Sequence, residues 1–161
     1  MSGLPALNEE DQDAFARTLD HFLGESRALR AFLIASAGYQ IVRAGERPEV
    51  DSETFAALAS NAFNAIDALA QCLEESDFKV LHQRGGRHQT LIFRIDDSCL
   101  LVAIFPSKVG IHEIEGAAGP AITSIQDQLA VARLRIPSVN VDLADHNPHS
   151  AETIFFRRKT D

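Results

Sequence analysis

Apolar positions along this chain recur at two spacings, three to four residues in some stretches and two in others, and the two spacings alternate. Phe15, Leu19, Phe22 and Leu23 share one face of a helix running from residue 9 to about 26. Asn8 suits its N-cap, Glu9, Glu10 and Asp11 suit the positive end of its dipole, and Gly24 lies near its end. LRAFLIAS (29–36) has the continuous apolar character of a strand buried on both faces, and Ala37-Gly38 turns it into YQIVRAG (39–45). After the loop GERPEVD, Asp51 or Ser52 caps a long helix that reaches about Glu75, with Glu53 and Thr54 in its first turn. DFKVLHQR (77–84) alternates apolar and polar side chains as an edge or half-exposed strand does. Gly85-Gly86 is expected to supply the positive φ of a tight turn into RHQTLIFRI (87–95). Asp96-Asp97-Ser98 turns again into CLLVAIF (99–105), the most buried strand, and Pro106 with Ser107–Gly110 ends the sheet.

IHEIE (111–115) fits the end of a strand or the start of a helix. GAAGP reads as a breaker, with Pro120 in the first turn of a helix that carries Ile122, Ile125, Leu129, Ala132 and Leu134 and stops before Pro137. The order is α-β-β-α-β-β-β-α, an α/β (α+β) domain with a five-stranded antiparallel sheet and helices on both faces. It is expected to occupy residues 1–136, with 137–161 a C-terminal tail of unknown structure. In that tail VNVDL alternates like a short strand, DHNPHS reads as a turn, and Phe155 and Phe156 call for something to dock on.

The long helix poses a question. In FAALASNAFNAIDALAQCL (55–73), Phe55, Leu58, Ala59, Ala62, Phe63, Ile66, Leu69, Ala70 and Leu73 fall at core-stripe spacing. Beside them runs a second stripe of small residues, Ala57, Asn61, Asn64, Ala65, Ala68 and Cys72, where a surface helix would carry Lys, Glu and Arg. Either this second face packs against another molecule, or the helix is sunk deeper in its own core.

Composition narrows the classes of function. The chain of 161 residues is long enough for one sizeable core. Its formal net charge of −8 argues against nucleic acid or an anionic membrane as partner, since phosphate binding needs a concentrated positive field. The one dense basic run, Arg157-Arg158-Lys159, reads as a solvated end. The opening MSGLPALNEEDQDAF has neither the basic nor the apolar region of a secretory signal, and no apolar run approaches the ~18 residues of a membrane span. Both cysteines, Cys72 and Cys99, sit in apolar settings and are expected to be buried free thiols in a cytoplasmic protein.

Catalytic and cofactor motifs are missing from the sequence: no phosphate-binding G-x-x-x-x-G-K-[ST], no G-x-G-x-x-G opening a helix, no H-E-x-x-H. Arg84-Gly85-Gly86-Arg87 could touch a phosphate, but between two strands it reads as a β-turn. His82 and His88 flank that turn without a Cys or carboxylate at ligand spacing, and Asp145, His146 and His149 lie in the tail. His112, Glu113 and Glu115 read as solvated surface, and no serine has a nucleophile-elbow context. No catalytic residue, metal site or cofactor is expected.

Several stretches together resemble the Roadblock (dynein light-chain) family, specifically its bacterial MglB-like branch, over roughly residues 10–134. LRAFLIASAGYQIVRAG is similar to the family's opening hairpin, and DSETFAALASNAFNAIDALA to its long helix. DFKVLHQRGGRHQTLIFRIDDSCLLVAIF is similar to its closing three-strand meander, and the Gly110 segment to the lead into its last helix. The resemblance implies a dimer whose long helices pack antiparallel and whose third strands pair edge to edge. On that implication Ala57, Asn61, Asn64, Ala65, Ala68 and Cys72 would meet a twin or paralogue, and Lys79, Val80, Leu81, His82 and Gln83 would pair with the partner's strand. It further implies a non-enzymatic regulator or scaffold of a Ras-like small GTPase, in the MglB-like branch one that speeds GTP hydrolysis by reshaping the GTPase's own switch loops, in a polarity or motility switch. Because the topology overlaps with profilin-like folds, a small-molecule-sensing or signalling scaffold without a GTPase partner is the alternative.

Overall fold

The computed structural model describes residues 3–46 and 51–135; the expectations placed on residues 137–161 lie outside them. The described elements are α1 (Glu9–Glu25), β1 (Arg30–Ala35), β2 (Gln40–Gly45), α2 (Ser52–Cys72), β3 (Val80–Arg84), β4 (His88–Arg94), β5 (Cys99–Pro106) and α3 (Ile111–Leu134). This is the expected α-β-β-α-β-β-β-α order, and the strands form one antiparallel sheet ordered β2-β1-β5-β4-β3.

The central strands read as unbroken apolar runs because both faces of the sheet are covered. Along β5, Cys99, Leu101, Ala103 and Phe105 point into a core closed by α1 and α3 through Phe15, Leu19, Phe22, Ile114, Ile125 and Leu129. The alternate residues Leu100, Val102 and Ile104 join Phe32, Ile34 and Ile92 under α2. A side-chain period of two thus feeds two separate cores from one strand.

Local chemistry sets the element ends. Asn8 and Asp11 form a capping box, each side chain accepting the other's backbone N–H at 2.9 Å. Asp51 caps α2 by accepting from the Thr54 backbone N–H at 3.0 Å. The β1–β2 turn uses Gly38 at φ +99, a conformation other residues rarely adopt. The expected positive φ at Gly85-Gly86 is not found: among the described residues the glycines with positive φ are Gly38 and Gly45. Gly85 is needed for a different reason, since a Cβ there would lie 2.5 Å from the His88 carbonyl oxygen.

The reading of GAAGP as a breaker is overturned, because α3 runs unbroken from Ile111 through Pro120 to Leu134. Burial overrides propensity here: Ile114, Ala118, Ala121 and Ile125 form one buried stripe that spans the proline, while Gly116, Gly119 and Pro120 face solvent. Pro120 cannot donate to the Gly116 carbonyl, but that carbonyl lies on the wet side, where water can replace the bond. Pro120→Ala is therefore expected to stabilise the protein by roughly 1–2 kcal/mol, less than the ~3 kcal/mol of a buried helical proline, because the ring also restricts the unfolded chain. Urea denaturation checks this as a higher midpoint at unchanged slope.

The start of α1 is tied to the end of α3. Asp11 is fully buried, and its carboxylate accepts from both Arg135 guanidinium nitrogens at 2.6 and 2.5 Å and from the Gln128 amide at 2.6 Å. The Arg135 hydrogen bonds hold the Asp11 carboxyl well below the usual carboxylate range; burial opposes this, and the Asn8 backbone and Gln128 bonds add to the lowering. Nearby, Arg133 pairs with Asp96 at 2.7 Å and clamps α3 to the β4–β5 turn.

Candidate functional site

The seating of α2 decides what the molecule offers to others. The helix turns Ala56, Ala59, Ser60 and Phe63 to the sheet. Phe55 packs on Phe32 with ring centroids 4.7 Å apart, and Phe63 on Phe78 at 5.0 Å. Polar contacts fix the rotation. Ser60 Oγ donates to the Ser36 carbonyl at 2.6 Å, Asn64 Nδ2 donates to the same oxygen at 3.2 Å, and Asp67 pairs with Arg94 at 2.5 Å. The Arg94 guanidinium also lies 5.2 Å from the Phe63 ring centre.

This rotation corrects the expected core stripe. Leu58, Ala62, Ile66, Leu69 and Leu73 do not enter their own core: the four large ones are 62, 38, 55 and 74 % exposed, respectively, and Ala62 is exposed as well. Ser60, Asn64 and Asp67 need partners on the sheet side, and Ser36 and Arg94 supply them, so the helix turns that side inward. The opposite side then carries Leu58, Asn61, Ala65, Ala68, Leu69 and Cys72 together. It holds no charged residue between Phe55 and Leu73, because Asp67, the one carboxylate in that span, is spent on Arg94. A wholly uncharged, exposed helix face of this length is what a partner-covered surface needs and a solvated one does not.

The individual candidates fall as follows. Asn61, Ala65 and Ala68 are exposed on that face; Asn64 is exposed but bonded inward; Ala57 is half-buried against the Gly38 turn. Cys72, expected to be buried, is exposed at the end of α2, whereas Cys99 is buried, and burial pushes its thiol up to about 11. The large residues Leu58, Ile66, Leu69 and Leu73 belong with the outer face, and the signal for this was already there: no Lys, Arg or Glu interrupts them.

The strand β3 is a terminal strand of the sheet, with β4 on one side and no described strand on the other. Lys79, Val80 and Gln83 are exposed. Leu81 packs toward the core under α2. His82 turns to the other face, stacking on Phe105 with Nε2 2.8 Å from the Gln89 carboxamide oxygen. Among the described residues, the outer face of α2 and the edge of β3 are left without a partner.

Little else suggests chemistry. Among the described residues no group of three His, Cys, Asp or Glu side chains could hold a metal, and no helix is long and apolar enough to cross a membrane. His112 approaches Glu115 at 3.2 Å in open solvent. Both sheet faces are filled, and the grooves between α1 and α3, lined by Thr18, His21, Pro120 and Ser124, are open to water.

Comparison with known proteins agrees with this architecture. The Roadblock/LC7 domain model matches residues 8–105. No curated protein matches the sequence. Myxococcus xanthus MglB superposes with a TM-score of 0.74 at 19 % identity, covering 79 % of this chain and 96 % of that one. Gliding protein MglB from Thermus thermophilus does so with 0.72 at 20 %, covering 81 % and 99 %. Profilin II from Acanthamoeba castellanii is similar at 0.52 and 13 %, covering 71 % and 98 %, so the topology is shared with profilins.

Proposed function

This chain belongs to the Roadblock/LC7 domain family, and from that premise we propose that it is a non-enzymatic, dimeric regulator or scaffold of a Ras-like small GTPase in the cytoplasm. The observation that carries the reading is the uncharged, exposed face of α2 described above. A second copy or a paralogue, laid antiparallel on Leu58, Asn61, Ala65, Ala68, Leu69 and Cys72, would bury it. The small residues allow the helix axes to approach closely, and β3 would pair with its twin and extend the sheet across the dimer. The roadblock-like domain would be residues 1–136, with 137–161 appended.

A paired-helix platform regulates a GTPase only through differential binding: it must hold one switch conformation more tightly than the other. Stimulation of hydrolysis would then come from the GTPase's own residues, held in position by the platform. This fits a surface made of aliphatic and amide side chains.

The test is a titration of the purified protein against the Ras-like GTPase of its own source, loaded in parallel with GDP and with a non-hydrolysable GTP analogue. At least about tenfold tighter binding to the analogue form, a difference of ~1.4 kcal/mol, is expected. Equal affinity for the two forms would leave a scaffold that does not read the switch. Binding to neither would remove the GTPase from the proposal.

A further inference from the structure

The arginine-flanked turn between β3 and β4 is left unused by the dimer and GTPase reading. Arg84 and Arg87 are exposed on either side of Gly85-Gly86, and neither makes an ion pair with a described residue. The turn after β5 lies against it. Ser107 N–H donates to the Arg87 carbonyl at 2.9 Å, and Ser107 Oγ donates to the Gly85 carbonyl at 2.8 Å. Lys108, the next residue, is likewise exposed and without an ion-pair partner among the described residues. Gly85 N–H donates to the His88 carbonyl at 2.9 Å and closes the turn. Three cations thus stand on a backbone made rigid by its own hydrogen bonds, in a chain whose formal net charge is −8.

We infer that this tip is a docking point for an acidic segment of a partner protein, with Arg84, Arg87 and Lys108 as its contact residues. Elsewhere the cations are largely neutralised: Arg27, Arg30, Lys79, Arg94, Arg133 and Arg135 each face a carboxylate. With the backbone already fixed, only the side-chain rotamers have to be ordered on meeting carboxylates, and arginine forks match them bidentately. A protein partner fits better than a lipid surface. Screening confines the attraction to ~8 Å, so a small acidic patch can meet the tip alone, whereas a broad anionic membrane would also face the rest of a chain whose formal net charge is −8. Pairing of β3 through Lys79–Gln83 would place Arg84 just past the paired residues and leave Gly85-Gly86, Arg87 and Lys108 free, so the tip stays open in the dimer.

Fluorescence anisotropy with a labelled oligoglutamate peptide tests this, because a protein of net negative charge should otherwise repel it. Binding is expected at low salt and is expected to weaken as salt rises. The variant Arg84→Glu/Arg87→Glu/Lys108→Glu should bind about tenfold more weakly or worse, with the charge-neutral Gln triple variant in between and usable alone if the reversal fails to fold. Arg43→Glu, an exposed cation on β2 at the opposite edge of the sheet, should leave binding unchanged. Three results overturn the inference: no binding of the peptide, equal binding by the triple variants, or an equal loss from Arg43→Glu. Binding to phosphatidylserine vesicles in preference to the peptide overturns it too, since the partner would then be a lipid surface.

Discussion

Arg in place of Ala65 is expected to turn the proposed dimer into a monomer without unfolding the protomer. Ala65 sits at the middle of the uncharged face of α2 and is exposed. In the protomer an arginine there simply extends into water. Between two antiparallel helices whose axes lie ~8–10 Å apart it would hold the helices away from each other and bury an unpaired charge. A buried unpaired charge costs about 3–5 kcal/mol, enough to weaken association more than a hundredfold. Sedimentation velocity at micromolar concentration should show one species of half the mass, with far-ultraviolet circular dichroism unchanged. The melting temperature, which rises with concentration in a dimer, should become independent of it. A variant that remains dimeric would move the interface off this face, and a monomeric wild type would remove the dimer from the proposal.

The second large effect is expected at the junction of α1 and α3. Arg135→Ala should destabilise the protein, because it leaves the Asp11 carboxylate with only Gln128 and the Asn8 N–H to answer it. Asp11→Asn should cost less, about 2 kcal/mol, since the Arg135 it releases is partly exposed and can return to water. The ordering of the two variants is the informative result. A purely additive ion pair would make them equal.

The same pair sets a pH dependence. The folded pKa of Asp11 is depressed below its ordinary value of 3.8, chiefly by Arg135. Its stabilising contribution is therefore complete above that ordinary value and is lost as pH falls below it toward the folded value. Thermal melts of the wild type should stay level from neutrality to about pH 5 and then decline. Asp11→Asn should lack this part of the decline, and Arg135→Ala should confine it to a narrower range. An unchanged acid profile in Asp11→Asn would mean that other carboxylates set the acid limit.

The apolar spacing of the sequence determined the order of the elements, the half-exposed character of β3 and the double burial of β5. Each of these follows from one strand or helix and its own period, so no distant partner had to be known. The family resemblance was legible for the same reason, since it rests on the order of locally readable pieces. Tertiary structure alone decided the rest. Ala59 and Leu58 both fit a core stripe by spacing, and only the hydrogen bonds of Ser60 and Asn64 to Ser36, with the pairing of Asp67 to Arg94, turned one inward and the other outward. Pro120 reads as a stop, yet the helix continues because a buried stripe spans it and its orphaned carbonyl faces water. The pairing of buried Asp11 with half-exposed Arg135 joins residues at opposite ends of the described chain, which no local pattern can bring together. Periodicity reports how a segment meets a surface, while the rotation of a helix on that surface is set by which of its polar groups find partners there.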